Sequence, residues 1–348
     1  MNGFQSQPRT ILLSIGIAGC GTVAVLSLFQ YLRGQSRWKH AQAQWAQEDP
    51  DVVILHQFPR PKACLSASPF PIKLETYLRI AEIKYINDFE FPYHPQTHKS
   101  PWITINGEHF ADSQLCIETL NRKFNKDLGS HLAPKEKAVA RSLRVLLEDH
   151  FYWVFVMDRY MNQQGRYLDQ VYSWVDSQSV LSRIQFEFYR RRAVKKLTNQ
   201  ALGQGLARCG PGDVQKMGIA DLEAISALLG SKSFVMGGEK PSVLDCTLFG
   251  FVACVLYTCQ ENSTYKSLIE KRLTNLNQHC LRMKAKHFPD WNTLINGPSE
   301  LKAPTTEKTS DENGSHVDNG KGNSANNKPI VTASRPPIPS GLVGGAKK

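Results

Sequence analysis

The dipeptide Asn106-Gly107 separates two short strand-forming runs, Trp102-Ile103-Thr104-Ile105 and Glu108-His109-Phe110-Ala111. Asn and Gly tolerate the positive φ angles of a type I′ turn, so the two runs are committed to one β-hairpin. Pro101 stands immediately before the first run. It has no N–H to give to a sheet, and a cis Ser100–Pro101 bond would turn the Ser100 backbone outward, whereas a trans proline would act only as a rigid turn. Upstream, Val52-Val53-Ile54-Leu55 is continuously apolar and lies between Asp51 and Pro59, the pattern of a strand buried on both faces. Ser68-Pro69 places an N-cap residue before proline at the first helical position, and Ile72, Tyr77, Leu78 and Ile80-Ala81 extend the helix to about Glu82. Tyr85 to Phe89 forms a second strand, and the connection from Phe91 to Lys99 is too broken by proline for a long helix. Asp112-Ser113 then caps a helix to about Phe124. The order over residues 51–126 is β-α-β-β-β-α.

After a linker at 127–137 the pattern turns helical through residue 297. Leu143, Val145-Leu146-Leu147, Phe151, Val154 and Val156 form an apolar stripe, with further helical segments near Tyr167–Val180, Leu181–Thr198 and Val214–Leu229. Ser242 with Asp245 makes a capping-box variant ahead of the wholly apolar run Leu248 to Ala253. As a cap alone, Asp245 is worth about 0.5–2 kcal/mol. Residues 298–348 lose apolar periodicity and fill with Lys, Asn, Gly, Ser, Thr and Pro, a composition that cannot offset chain entropy by burial, so a disordered tail is expected.

The N-terminal segment, residues 1–50, contains an uncharged stretch over residues 11–32. At about 1.5 Å per residue it covers about 33 Å, enough for a transmembrane helix. A secretory signal is the alternative; the stretch is longer than such signals, and the cleavage-like Ala41-Gln42-Ala43 lies far beyond it. Arg33, Arg37 and Lys39 on one flank against Arg9 on the other orient a single-pass protein with its globular body toward the cytosol.

The 42 basic and 31 acidic residues give a net charge of +11, which attracts anionic surfaces without naming one. The densest basic run, Arg190-Arg191-Arg192 with Lys195-Lys196, comes with no nucleic-acid motif, so it reads as a solvated or lipid-facing helix surface and no nucleic-acid partner is expected. The eight cysteines include no C-x-x-C pair, which argues against a zinc ribbon or a disulfide scaffold and favours a reducing compartment. Cys246 and Cys254 are too far apart along one helix to hold a metal without further ligands, and none is expected.

The strand order with its special residues resembles a thioredoxin-like domain of the glutathione transferase type, followed by the all-helical domain of such proteins. Closer still, the chain resembles the failed axon connections family, which is related to metaxins. The segments that carry this are His56-Gln57-Phe58, Ser68-Pro69-Phe70 with Lys73 to Arg79, Pro101-Trp102-Ile103, Glu148 to Trp153, Ser242 to Thr247 and Phe288-Pro289-Asp290-Trp291. The resemblance implies a transferase-like α/β plus all-α fold, membrane association and a role in axon development. It implies glutathione as an admissible ligand, though no cofactor is required, and it is compatible with a homodimer. By the same resemblance Ser68, with Ser66 second, would face the glutathione sulfur at the positive end of a helix. The Ser100-Pro101-Trp102 backbone would pair with the tripeptide, and Asp112 and Ser113 would receive its γ-glutamyl end. Many relatives carry cysteine after Ser-Pro-Phe, whereas this chain has Pro71. Cys64 lies nearby as an incidental thiol or a nucleophile, and His150 to Trp153 as core or catalytic cluster. Two functions stay open: a non-catalytic binding or scaffold protein with a protein or lipid partner, which is favoured, and a glutathione-dependent transferase using Ser68.

Overall fold

Helix α1 covers residues 32–45, and the strands β1 (Val53–His56), β2 (Tyr85–Asp88), β3 (Trp102–Ile105) and β4 (Glu108–Ala111) form one sheet in the order β2-β1-β3-β4. The computed structural model describes residue 29, residues 32–171 and residues 180–296. β1 and β2 run parallel, Val53 opposite Tyr85, joined by the crossover helix α2 (Pro69–Ile80). β3 and β4 are a hairpin whose corner residues, Asn106 at φ 50° and Gly107 at φ 81°, adopt the positive angles that their sequence allows. The Ser100–Pro101 peptide bond is cis. Helix α3 (Ser113–Phe124) follows β4 directly.

The chain divides into two compact units, one holding α1 and the hairpin tip Thr104–Glu108, the other Val53–Ile103 and the chain from His109 onward. Within the first, Trp38 and Trp45 meet edge to face at 5.3 Å. Asp51 N–H donates to Asn106 Oδ1 at 2.9 Å while Asn106 Nδ2 donates to Asp51 Oδ1 at 3.0 Å. The apolar stretch over residues 11–32 lies outside the described residues except for Phe29 and Leu32, as does the tail expected over 298–348. Among the described residues no helix is long and apolar enough to cross a membrane.

In the second unit α4 (Pro134–Val145) starts inside the stretch expected to be linker. Pro134 suits the first helical position, and Glu136 accepts the Ala133 N–H at 2.8 Å, so the start is stabilised locally. α4 runs without interruption into a π-turn (Leu146–Phe151), α5 (Tyr152–Val156) and a second π-turn (Met157–Asn162). α6 (Tyr167–Val171), α7 (Val180–Gln204), a 3₁₀ turn (Leu206–Arg208), α8 (Pro211–Leu229), α9 (Val243–Thr258), α10 (Thr264–Lys271), α11 (Thr274–His287) and α12 (Trp291–Asn296) complete it.

α9 has no polar face, as its sequence requires of a helix buried all round; Leu248, Phe249, Phe251, Val252 and Val255 are sealed from solvent. It lies so close to α2 that a Cβ on Gly250 would sit 2.5 Å from the Pro69 carbonyl oxygen. Asp245 does more than cap it. The fully buried carboxylate accepts from Ser242 N–H (2.8 Å), Ser242 Oγ (2.9 Å), Val235 N–H (2.8 Å) and His279 Nε2 (3.1 Å), tying three segments together. Burial alone would raise its pKa, but these bonds outweigh it and hold the group below its ordinary value. At the other end of α2, Arg79 forks onto Asp290 at 2.6 and 2.9 Å and stacks over Phe288 at 4.4 Å.

Candidate functional site

The starts of α2 and α3 and the residue before the cis proline meet at one cavity of about 470 Å³, within the size range of small-molecule sites. Ser68 holds the N-cap position of α2 with extended backbone, yet its side chain makes no capping hydrogen bond. The reason is in the sequence: Pro71 occupies the third helical position and removes one of the two N–H groups, at the second and third positions, that a cap would satisfy. The Ser68 hydroxyl is therefore not spent on the helix, and the residue lines the cavity.

Ser66 does not line it. Fully buried, its Oγ accepts the Ser68 N–H at 3.2 Å and so shapes the loop. Ser100 lines the cavity, and its buried Oγ has no hydrogen-bond partner. Asp112 caps α3, accepting the Gln114 N–H at 3.0 Å, with its backbone at φ 77° and ψ 123°. A side chain in that region is strained and persists only where the surroundings enforce it. Its second oxygen accepts from Lys99 Nζ at 2.5 Å. Burial would raise the Asp112 pKa, but the Lys99 bond and charge and the backbone donors together hold it below the usual range. Ser113, the buried first residue of α3, lies on the same wall.

Of the residues expected at the site, Ser68, Ser100, Asp112 and Ser113 come together, whereas Ser66, Pro101 and Trp102 stay off the cavity surface. Trp102 is core: fully buried, it donates from Nε1 to the Phe91 carbonyl at 2.8 Å and stacks on His56 at 3.5 Å.

The helical half supplies the other walls, most of which sequence reasoning missed. The π-broken helix contributes Tyr152, Trp153, Arg159 and Tyr160, α6 contributes Tyr167, and α7 contributes Tyr189 and Lys196. Burial pushes the Tyr152 phenol up to about 12 and that of Tyr160 well above its ordinary value, so both stay neutral. Glu148 also lines the cavity, but its carboxylate is engaged by Lys73 at 2.5 Å and Arg144 at 2.6 Å. The His150 to Trp153 segment divides: Tyr152 and Trp153 face the cavity, Phe151 is core, and His150 turns to Asp221 at 2.6 Å, away from it. Among the described residues no cysteine lines the cavity and no group of His, Cys, Asp and Glu could hold a metal. Cys64 is buried, with its thiol 3.8 Å from the Ala253 carbonyl.

Comparison with known proteins agrees with this architecture. The glutathione S-transferase N-terminal domain profile matches residues 69–165, and the glutathione S-transferase C-terminal domain profile matches residues 218–283. Failed axon connections of Drosophila melanogaster is 29% identical over 71% of this chain and 60% of its own length, so the chain spans three fifths of that relative. Isoprene-epoxide glutathione S-transferase of Rhodococcus is 26% identical over 52% of this chain and 77% of its own. Among solved structures, a glutathione transferase of Phanerochaete chrysosporium superposes with a TM-score of 0.48 at 15% identity, covering 69% of this chain and 99% of that one. A transferase of Ceriporiopsis subvermispora in complex with glutathione gives 0.46 at 14% identity, covering 67% and 97%. The chain is thus a glutathione S-transferase-like protein related to failed axon connections.

Proposed function

We propose that this chain is a glutathione-binding protein that works as a non-catalytic binding or scaffold component at a membrane. The observation that carries the reading is the buried, unpartnered Ser100 hydroxyl on the same cavity wall as Asp112 and Ser113. A buried hydroxyl without a partner is costly, and a polar ligand in the cavity would relieve it. The tripeptide fits the donor set. Ser113 at the positive end of α3 suits its γ-glutamyl carboxylate, Asp112 suits its ammonium in exchange for Lys99, and Ser68 at the start of α2 suits its thiol.

Two facts favour binding over turnover: among the described residues no cysteine lines the cavity, and the position after Ser-Pro-Phe is Pro71. Residues 11–32 tether the body to a membrane on its cytosolic side, where a protein partner docks and a homodimer can form. The related failed axon connections protein lends a role in axon development. One observation favours the second reading, conjugation of glutathione through Ser68: the side chain makes no capping bond that would hold its hydroxyl back.

Titration calorimetry of the full-length protein with glutathione tests this. Micromolar to millimolar affinity is expected, weakened on the order of ten-fold in Ser113→Ala. Absence of heat at several millimolar glutathione sinks the proposal. Conjugation of 1-chloro-2,4-dinitrobenzene that disappears in Ser68→Ala replaces it with the second reading.

A further inference from the structure

Buried Ala193 and Ala201 mark the side of α7 that is turned to the protein. At about 100° per residue, Val180, Ile184, Phe188 and Leu202 fall within about 80° of one another on the opposite side. They are exposed by 74, 62, 61 and 40%, on the face of a surface helix that is ordinarily polar. Exposed apolar residues are ordinary one at a time, whereas a row of four along one line marks an interaction surface. The row extends about 33 Å at about 1.5 Å per residue.

The same arc is cationic. Exposed Arg191 and Lys195 stand among the apolar residues, and Arg192 lies at the edge with its guanidinium 5.5 Å from the Phe188 ring. Along its whole length α7 has six basic residues and one acidic residue, Glu187, whose carboxylate is taken up by Arg190 and Arg191 at 2.6 Å each. Apolar side chains interspersed with long cationic ones match the boundary between the acyl chains and the anionic head groups of a bilayer: the rings and aliphatic groups enter the acyl edge while arginine and lysine reach the phosphates. A second copy of this chain fits poorly, because a two-fold axis would lay the cationic arc against its own image, like charge on like charge.

We propose that this arc of α7 docks on an anionic phospholipid surface, with Ile184 and Phe188 entering the interface and Arg191, Arg192 and Lys195 holding lipid phosphates. The inference rests on the membrane part of the proposed function and supplies a surface, separate from residues 11–32, by which the body meets the bilayer.

The test attaches the environment-sensitive fluorophore NBD to Ile184→Cys in the full-length protein, with Cys20→Ser and Cys209→Ser to keep the label at one position. The protein is assembled with nanodiscs of phosphatidylcholine alone or of phosphatidylcholine with 30% phosphatidylserine. A blue shift of the emission is expected in the anionic discs only, and it should disappear in 0.5 M NaCl. Arg191→Gln with Lys195→Gln should lower the ratio of docked to undocked probe on the order of thirty-fold, since each basic residue near an anionic surface contributes about 1 kcal/mol. The same change of charge elsewhere, Lys240→Gln with Lys271→Gln, should leave the ratio within about two-fold. A probe that stays in water on both kinds of disc overturns the proposal, as does an equal shift on both. A shift that appears without lipid and grows with protein concentration overturns it in favour of a second copy. Co-elution with neutral discs reports residues 11–32 by themselves, so failure of the tether and failure of the α7 face are read separately.

Discussion

Gly250→Ala is the smallest change that reaches the site from the core. The added Cβ would lie 2.5 Å from the Pro69 carbonyl oxygen and 3.3 Å from both the Pro69 carbonyl carbon and the Lys73 nitrogen. Ordinary carbon-to-oxygen contact begins near 3.3 Å, so α2 and α9 must separate by about 0.8 Å. Nothing at the contact can swing aside, because the atoms in the way are backbone, and α9 is enclosed on every side. Overpacking of this kind costs about 1–3 kcal/mol, less the roughly 0.5–1 kcal/mol that alanine gains over glycine inside a helix. Gly203 is the control: it lies in α7 with nothing within 4 Å of a built Cβ, so Gly203→Ala shows the propensity gain alone. Urea titration followed by circular dichroism should separate the two variants by about 1–3 kcal/mol. Since Pro69 follows Ser68, glutathione affinity should fall with stability in Gly250→Ala. Equal unfolding midpoints for the two variants would refute the close-approach argument.

Glu75 is fully buried and bound by Arg60 at 2.6 and 3.0 Å, Tyr85 at 2.9 Å and Gln57 at 3.3 Å. Burial works against its charged form, but Arg60 prevails and the pKa is pushed down to about 2. A depressed carboxylate contributes stability that is present above its unfolded pKa of about 4.5 and is lost as pH falls toward 2, here about 3 kcal/mol. Glu75→Gln should flatten that acid limb and destabilise the protein by about 3–5 kcal/mol at neutral pH, measured by urea unfolding across pH 2–7. Among the described cysteines Cys209 is exposed and the other six are buried. A thiol-specific chromophore should therefore label it rapidly in the native protein, Cys209→Ser should remove that phase, and the six should react only on unfolding.

Features that depend on local chemistry were legible in the sequence. Asn106-Gly107 gives its hairpin because of the φ angles those residues tolerate, and Asp112 caps α3 because its carboxylate reaches the Gln114 N–H. Ser68 was placed correctly and its bonding was not: the capping bond depends on N–H groups two and three residues on, and Pro71 removes one of them. The fitting of Ser68, Ser100, Asp112 and Ser113 around one space was reached through the family resemblance rather than through spacing. Arg159 and the tyrosine wall escaped because they come from helices brought together only by tertiary packing. One signal was present: in Phe151-Tyr-Trp-Val-Phe-Val-Met-Asp-Arg159 a single guanidinium closes an aromatic, apolar run. The π-turns have no comparable local mark.

Each of those turns fits one residue more than an α-helix would hold, and side-chain direction advances by about 100° per residue. Deleting one position from Leu146–Phe151 would keep the rod but rotate everything beyond it, carrying Tyr152, Trp153 and Arg159 off the cavity while α4 stayed in place. A lineage could thus exchange the helical lining of this chamber in a single insertion or deletion, without a substitution, and leave the serine-bearing half untouched. Ungapped alignment through the segment would pair residues whose side chains point about 100° apart.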